Sequence, residues 1–207
     1  MARISAAGAG LLQAALVDPS VEARYRLHIA GSATATGCLL WTGAISGRGH
    51  ARFWLGALPD GRDVVVLGHR FGYGLRFGYA QLVAAPAVRH YECDNPLCQN
   101  VDHLRPGTNG DNAHDWATRR HTPGSPLRDT RGALGRARAL RTAARNQTLS
   151  QQRAEAVAAV VRTARPDLVL TVKGFGSAQP IAPNTSGGKD DPDGRAKNRR
   201  VELRYVG

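Results

Sequence analysis

The chain has 207 residues and a formal net charge of +12, most of it from arginine. That length allows one good core or two small ones, and the charge calls for a polyanionic partner, nucleic acid being the commonest and anionic lipid or cell-wall polymer the other sources. No apolar run approaches the roughly 18 residues that suggest a membrane span. Three cysteines cannot all pair within the chain, which excludes a fully bridged disulfide framework and fits metal ligation in a reducing, cytoplasmic setting.

Residues 1–17 predict an amphipathic lead helix. It is preferred to a signal peptide because Gln13 interrupts the apolar stretch and Asp18-Pro19 stands where a small-residue cleavage site belongs. Val21 to His28 reads as a second helical turn or two, and 31–37 as a linker of small residues. The stretch GCLLWTGAISGRGHARFWLG (37–56) places two apolar runs on either side of Ser-Gly-Arg-Gly and predicts a β-hairpin, with Cys38 at the start of a strand. Pro59-Asp60-Gly61 is a turn, Val64 to Leu67 a buried strand, and His69 to about Ala85 a helical segment ended by Pro86. Val88 to Tyr91 is a short strand leading into the richest part of the sequence.

That part is His90–Asp115, HYECDNPLCQNVDHLRPGTNGDNAHD. Cys93, Cys98 and His103 are spaced Cys-x4-Cys-x4-His, and with the distant Cys38 they make the three thiolates and one imidazole of a closed tetrahedral zinc site. Zinc there would fix the loop of a domain with few large apolar residues. A second, hard cation, magnesium, would be held by Asn112 and a substrate phosphate, since magnesium takes few protein ligands and keeps several waters. His90 is the candidate general base, because imidazole titrates near neutrality, and Arg70 or Arg89 the phosphate clamp. Asn95 and Asn100 are expected to bond the loop backbone. His28, His50, His114 and His121 are expected as surface or loop residues and not as ligands. Together these residues describe a small metal-dependent nuclease.

Asn112 to Arg120 has helical character, anchored by Trp116. From Arg119 to Arg145 eight arginines accompany a single acidic residue, Asp129. Arg131, Arg138, Arg141 and Arg145 fall at i, i+7, i+10 and i+14, so one helix face would present them to DNA phosphates. Beyond Asn146 the character changes. Gln147 to Ala164 is an amphipathic helix, a polar loop fills 174–194, and Leu168/Leu170/Val172 and Val201/Leu203/Tyr205 alternate as two half-buried strands.

The segment Cys38 to Asp115 resembles the HNH, or His-Me finger, nucleases of phages, prophages and mobile introns, through Cys38 with WTGA, His69-Arg70 and CDNPLCQNVDHLRPGTNGDN. The resemblance implies a ββα-metal finger that hydrolyses DNA to 5'-phosphate and 3'-hydroxyl ends, with His90 as base, Asn112 as metal ligand and Cys38, Cys93, Cys98 and His103 on zinc. The family places its base two residues before the first cysteine of the pair. Here Tyr91 holds that place and His90 lies one further back, a shift that on a regular strand turns the side chain over and that a β-bulge would correct. Residues 146–207 are similar to the C-terminal half of OmpA-like peptidoglycan-binding domains, through NQTLSQQRAEAV, VKGFGSAQPIAPN and GRAKNRRVELR. Arg153 matches the arginine that grips the peptide carboxylate, whereas the partner aspartate and the first strand and helix have no counterpart.

The expected architecture is therefore α+β. It has an N-terminal helical lead (1–37), a zinc-stapled nuclease domain (38–121), an arginine-rich helical extension (122–145) and a partial OmpA-like α/β segment (146–207). The expected function is magnesium-dependent cleavage of double-stranded DNA, with a homodimer among the arrangements the sequence allows. The alternative is a non-catalytic cell-envelope protein that binds peptidoglycan through Arg153.

Overall fold

A computed structural model describes residues 5–31 and 37–204. The chain divides at residue 141 into two units, each mixing helices with two-stranded sheets. In the first, helix α1 (Ala6–Ala15) is capped by the Ser5 hydroxyl, which accepts from the Gly8 amide, and buries Leu12 and Ala15. Asp18-Pro19 then opens helix α2 (Pro19–Arg26), with the Asp18 carboxylate accepting from Ser20 N at 2.8 Å and proline at the first helical position. Helix α2 carries Tyr25 into the core. Its ring centre lies 5.6, 5.3 and 5.2 Å from those of Trp41, Phe53 and Phe71, and this aromatic cluster is the main apolar mass of the unit.

Strand β1 (Ile29–Ala30) pairs antiparallel with β2 (Leu40–Trp41). The hairpin expected across Ser46–Gly49 is reduced to a single bridge between Ile45 and Ala51. Its first strand is committed elsewhere: the Trp41 amide donates to the Leu97 carbonyl at 3.0 Å, Leu40 bridges Cys98, and the Trp41 indole turns to the Ala44 carbonyl at 2.8 Å. The hairpin that does form joins β3 (Arg52–Ala57) to β4 (Asp63–Leu67) across the Pro59–Gly61 turn, with Phe53 and Leu55 inward and Arg52 and Trp54 outward.

The helical segment after β4 is two helices, α3 (Gly68–Phe77) and α4 (Tyr79–Ala84), broken at Gly78, whose φ of 88° suits glycine. Strand β5 (Ala87–Arg89) enters the cysteine-rich loop, which ends in a 3-10 turn, Val101–His103. Strand β6 (Arg105–Gly107) returns antiparallel to β5, and helix α5 (Asn109–Arg119) follows against β5. Asn95 and Asn100 bond the loop backbone as expected, accepting from Leu97 N and Asp102 N, both at 3.1 Å.

Helix α6 (Gly132–Ala164) is one helix of 33 residues where two had been expected. No glycine or proline interrupts it between Arg136 and Arg165, so nothing ends it at Asn146. Among the described residues of the second unit neither of the expected strands is found. Leu168, Leu170, Val172, Val201 and Leu203 lie in irregular backbone, and Tyr205 lies outside the described residues. A strand exists by pairing. The pairing found among the described residues of this unit is the two-residue ladder of β7 (Thr185–Ser186) with β8 (Lys189–Asp190), followed by helix α7 (Pro192–Asn198). Val169 is accordingly 99% exposed. What orders the segment is polar: Gln147 donates to the Gly174 carbonyl and Gln151 accepts from the Gly174 amide, both at 2.6 Å, and Asn198 holds Ile181 and Ala182 through their amides.

Candidate metal centre and cleft

The β5–β6 loop brings Cys93, Cys98 and His103 to Cys38, which lies just before β2. The bridge from Leu40 to Cys98 and the Gln99 amide bonded to the Leu39 carbonyl at 2.7 Å hold that junction. The three thiols are buried, and the four ligand atoms lie within 4.8 Å of one another. His103 Nδ1 is 3.5 Å from Cys98 Sγ and 3.8 Å from Cys38 Sγ. A tetrahedral ion with zinc-like bond lengths requires sulfur–nitrogen edges of about 3.6 Å. The donor set and spacing therefore fit a structural metal such as zinc. Without such an ion, hydrogen bonds among the thiols and burial push Cys93 well up and Cys98 to about 11. A bound cation would release those protons.

A cavity of about 240 Å³ opens beside this centre, its wall including His50, His90, Asn112, Arg48, Arg89 and Arg136. Three elements converge to make it. The Ser46–Gly49 turn is pressed against the start of α6: a Cβ on Gly49 would stand 2.8 Å from Ala137 Cβ and 2.9 Å from the Ala133 carbonyl, and Gly49 has φ 83°. The turn therefore admits only glycine there, and it sets His50 on the wall. The start of α3 fits closely against Ala51 and Gln99, with the Gly68 amide on the Ala51 carbonyl at 3.0 Å, and this points His69 inward. β5 ends at Arg89, so His90 lies in a turn, its carbonyl accepting from Asp94 N at 3.0 Å. Strand alternation has stopped by then. His90 is buried and Tyr91 is 44% exposed, with no β-bulge at this point.

The imidazoles of His50, His69 and His90 form one cluster. Ring centres are 4.4 Å apart for His69–His90, 5.3 Å for His50–His69 and 5.8 Å for His50–His90. Burial lowers the pKa of each: His69, also repelled by His90 and His50, falls well below the usual histidine range, His90, also repelled by His50, falls to about 3, and His50, facing Arg48, shifts the same way. His69 Nδ1, His50 Nδ1 and both nitrogens of His90 are buried without a partner.

Asn112 is exposed in the first turns of α5 and is not the helix cap. The cap is Thr108, in a reciprocal box with Asp111: the Asp111 amide donates to the Thr108 hydroxyl at 3.1 Å, and the Thr108 amide to the Asp111 carboxylate at 2.7 Å. Arg70 is not on the cavity wall. Its guanidinium donates to the Leu82 and Ala85 carbonyls at 3.1 and 3.2 Å, closing the end of α4. Arg89 is on the wall and forms a close ion pair with Asp115, which also binds Arg119 at 3.2 Å. Both guanidinium groups also approach the Tyr91 ring, at 5.6 and 5.1 Å from its centre.

Of the four arginines expected as one DNA-facing stripe, Arg138, Arg141 and Arg145 lie in α6 at i, i+3 and i+7 and share a side of it. Arg131 precedes α6 and pairs with Asp129 at 2.6 Å. Arg141 follows Ala137 and precedes Ala144, both buried, on one face of the helix, and donates to the Gly43 carbonyl at 3.2 Å. Arg138 and Arg145 remain exposed, as does Arg153 farther along the helix.

No family model matches the chain, and no solved structure does. Protein 7.7 of Escherichia phage T7 is 35% identical over 82 residues, covering 40% of this chain and 56% of that protein. Protein 2.8 of the same phage is 29% identical over 99 residues, covering 48% and 63%. The photosystem I P700 chlorophyll a apoprotein A2 of Gloeobacter violaceus is 46% identical over 72 residues, covering 34% of this chain and 8% of that protein. The chain thus spans less than two thirds of the length of each of these relatives.

The structure brings His90, Asn112 and Arg89 together on one wall beside the Cys38–Cys93–Cys98–His103 centre. It adds two residues to which the sequence reading gave no role at the site: His50, expected as a surface or loop residue, and His69, quoted only within the His69-Arg70 pair. The available signal was positional: His50 follows a turn of Gly-Arg-Gly, and His69 follows an apolar strand, of which Val64 is buried and Val65 to Leu67 are half-buried rather than buried as expected. No helix among the described residues is long and apolar enough to cross a membrane.

Proposed function

We propose that the chain is a metal-dependent endonuclease that hydrolyses phosphodiester bonds of double-stranded DNA in this cavity. The observation that carries the reading is the placement of a buried, neutral His90 and an exposed Asn112 on one wall, beside a Cys3His cluster suited to zinc. The two phage relatives suit the resemblance to phage nucleases, and the β5–β6–α5 order suits a ββα finger. Buried free thiols suit a reducing compartment such as the cytoplasm.

In this reading His90 accepts the proton of a water attacking phosphorus. Burial keeps its imidazole neutral before the step. The negative charge of the scissile phosphate then stabilises the imidazolium, so the base gains strength only once substrate is present. Asn112 would hold a magnesium ion together with the substrate phosphate; that ion would neutralise charge building on the leaving oxygen. Arg89 and Arg119, both tied to Asp115, position the loop, while Arg48 and Arg136 replace Arg70 as the phosphate contacts. Exposed Arg138 and Arg145 add sequence-independent contacts.

The test is incubation of supercoiled plasmid with the chain carrying one equivalent of zinc in its cysteine site, with and without magnesium at low salt. Nicked or linear product only with magnesium, and binding that weakens steeply with salt, supports the reading. An absence of cleavage above buffer sinks it.

A further inference from the structure

We propose that His50, His69 and His90 form a second metal site, selective for borderline transition ions such as zinc or cobalt over magnesium. Three ligand atoms, one from each imidazole, lie within 4.8 Å of one another. A tetrahedral ion at nitrogen distances of about 2.0–2.1 Å would draw them to about 3.4 Å, a movement within the reach of side-chain rotation. Three protein ligands and one open position is the count of catalytic rather than structural zinc sites. Two of the three, His50 and His90, line the cavity.

The hydrogen-bond pattern separates a metal site from ordinary packing. A buried imidazole nitrogen without a partner is costly, and this cluster holds four: His50 Nδ1, His69 Nδ1 and both nitrogens of His90. His69 and His90 are each less than a tenth exposed. No carboxylate belongs to the cluster, so its chemistry is imidazole alone, which suits zinc, copper, nickel or cobalt and not the oxygen-preferring magnesium.

The functional consequence rests on the nuclease reading. An ion in the site ties up the His90 lone pair that would accept the proton of water. Transition ions would then silence magnesium-dependent cleavage, and removing them would restore it.

The test reads metal content first and therefore does not depend on cleavage. The full chain, with one equivalent of zinc in its cysteine site, is titrated with cobalt(II) in excess magnesium. The expected result is a second equivalent bound without thiolate-to-cobalt charge-transfer absorption, and a loss of affinity for it of at least about tenfold in His50→Asn and His69→Asn. The first equivalent, retained in both variants, reports that they are folded. Uptake of only one equivalent by the wild type, or a second that brings thiolate absorption, overturns the proposal whatever the variants do. If the second equivalent binds and the protein never cleaves DNA, the site stands and the nuclease reading fails.

Discussion

Acid should destabilise the first unit through its buried histidines, and His90 gives the magnitude. In the unfolded chain a histidine takes up a proton below about pH 6.5. In the folded chain burial delays this at His90 to about pH 3. The unfolded state therefore binds the extra proton throughout that window. The stability due to the neutral imidazole is full above the upper limit and is lost as pH falls. The slope is about 1.4 kcal/mol per pH unit, so His90 alone removes about 2 kcal/mol between roughly pH 6.5 and pH 5. His69 and His50 act in the same direction. Against a total stability of about 5–15 kcal/mol, the unit should unfold in mild acid. Urea denaturation of the wild type and His90→Asn across this range isolates the effect, because loss of metal from the cysteine site is common to both. The variant's stability should depend less steeply on pH, by about 1.4 kcal/mol per unit. Parallel curves would refute the burial of a neutral His90.

Three further perturbations follow from the packing. Cys98→Ser removes a ligand whose side chain is fully buried. Structural zinc contributes on the order of 10 kcal/mol in small zinc-dependent domains, so the variant should hold no metal in that centre and show no cooperative transition of the first unit; an unchanged zinc content would contradict this. Thr108→Ala opens the capping box of α5 and should cost about 1 kcal/mol in urea denaturation, with Thr108→Ser restoring most of it. Gly49→Ala places a Cβ against Ala137 and the Ala133 carbonyl at a positive φ and should cost about 1–3 kcal/mol; a neutral result by thermal denaturation would mean that the turn does not abut α6.

The metal centre was legible because ligand chemistry is local. Cys93, Cys98 and His103 announce themselves by spacing, and a closed four-ligand set recruits Cys38 across the intervening 54 residues. Strand β5 and helix α5 were legible in the same stretch, whereas the three-residue β6, Arg-Pro-Gly, carries no strand signal of its own. His50 and His69 were not, because their convergence on His90 depends on how three separate elements dock, through the close approaches at Gly49 and Gly68. The contacts of Arg70 and Arg141 were not legible for a related reason: the sequence does not say which carbonyls a guanidinium group will meet, and both are bonded to backbone carbonyls inside the unit. The alternation at Leu168–Val172 and Val201–Tyr205 predicts strands only where neighbours exist to pair with them.

Cleavage of supercoiled plasmid in magnesium by the wild type, His90→Ala and Asn112→Ala is the most direct measurement, with ligation of the product as a second readout. The wild type should cut, leaving ends that DNA ligase seals as 5'-phosphate and 3'-hydroxyl. Each variant should lose about two orders of magnitude or more in rate, while both keep the zinc of the cysteine site. Cleavage by either variant at the wild-type rate would remove that residue from the chemistry. Equal inactivity of both variants and of the wild type carrying one equivalent of zinc in its cysteine site would contradict the nuclease assignment itself.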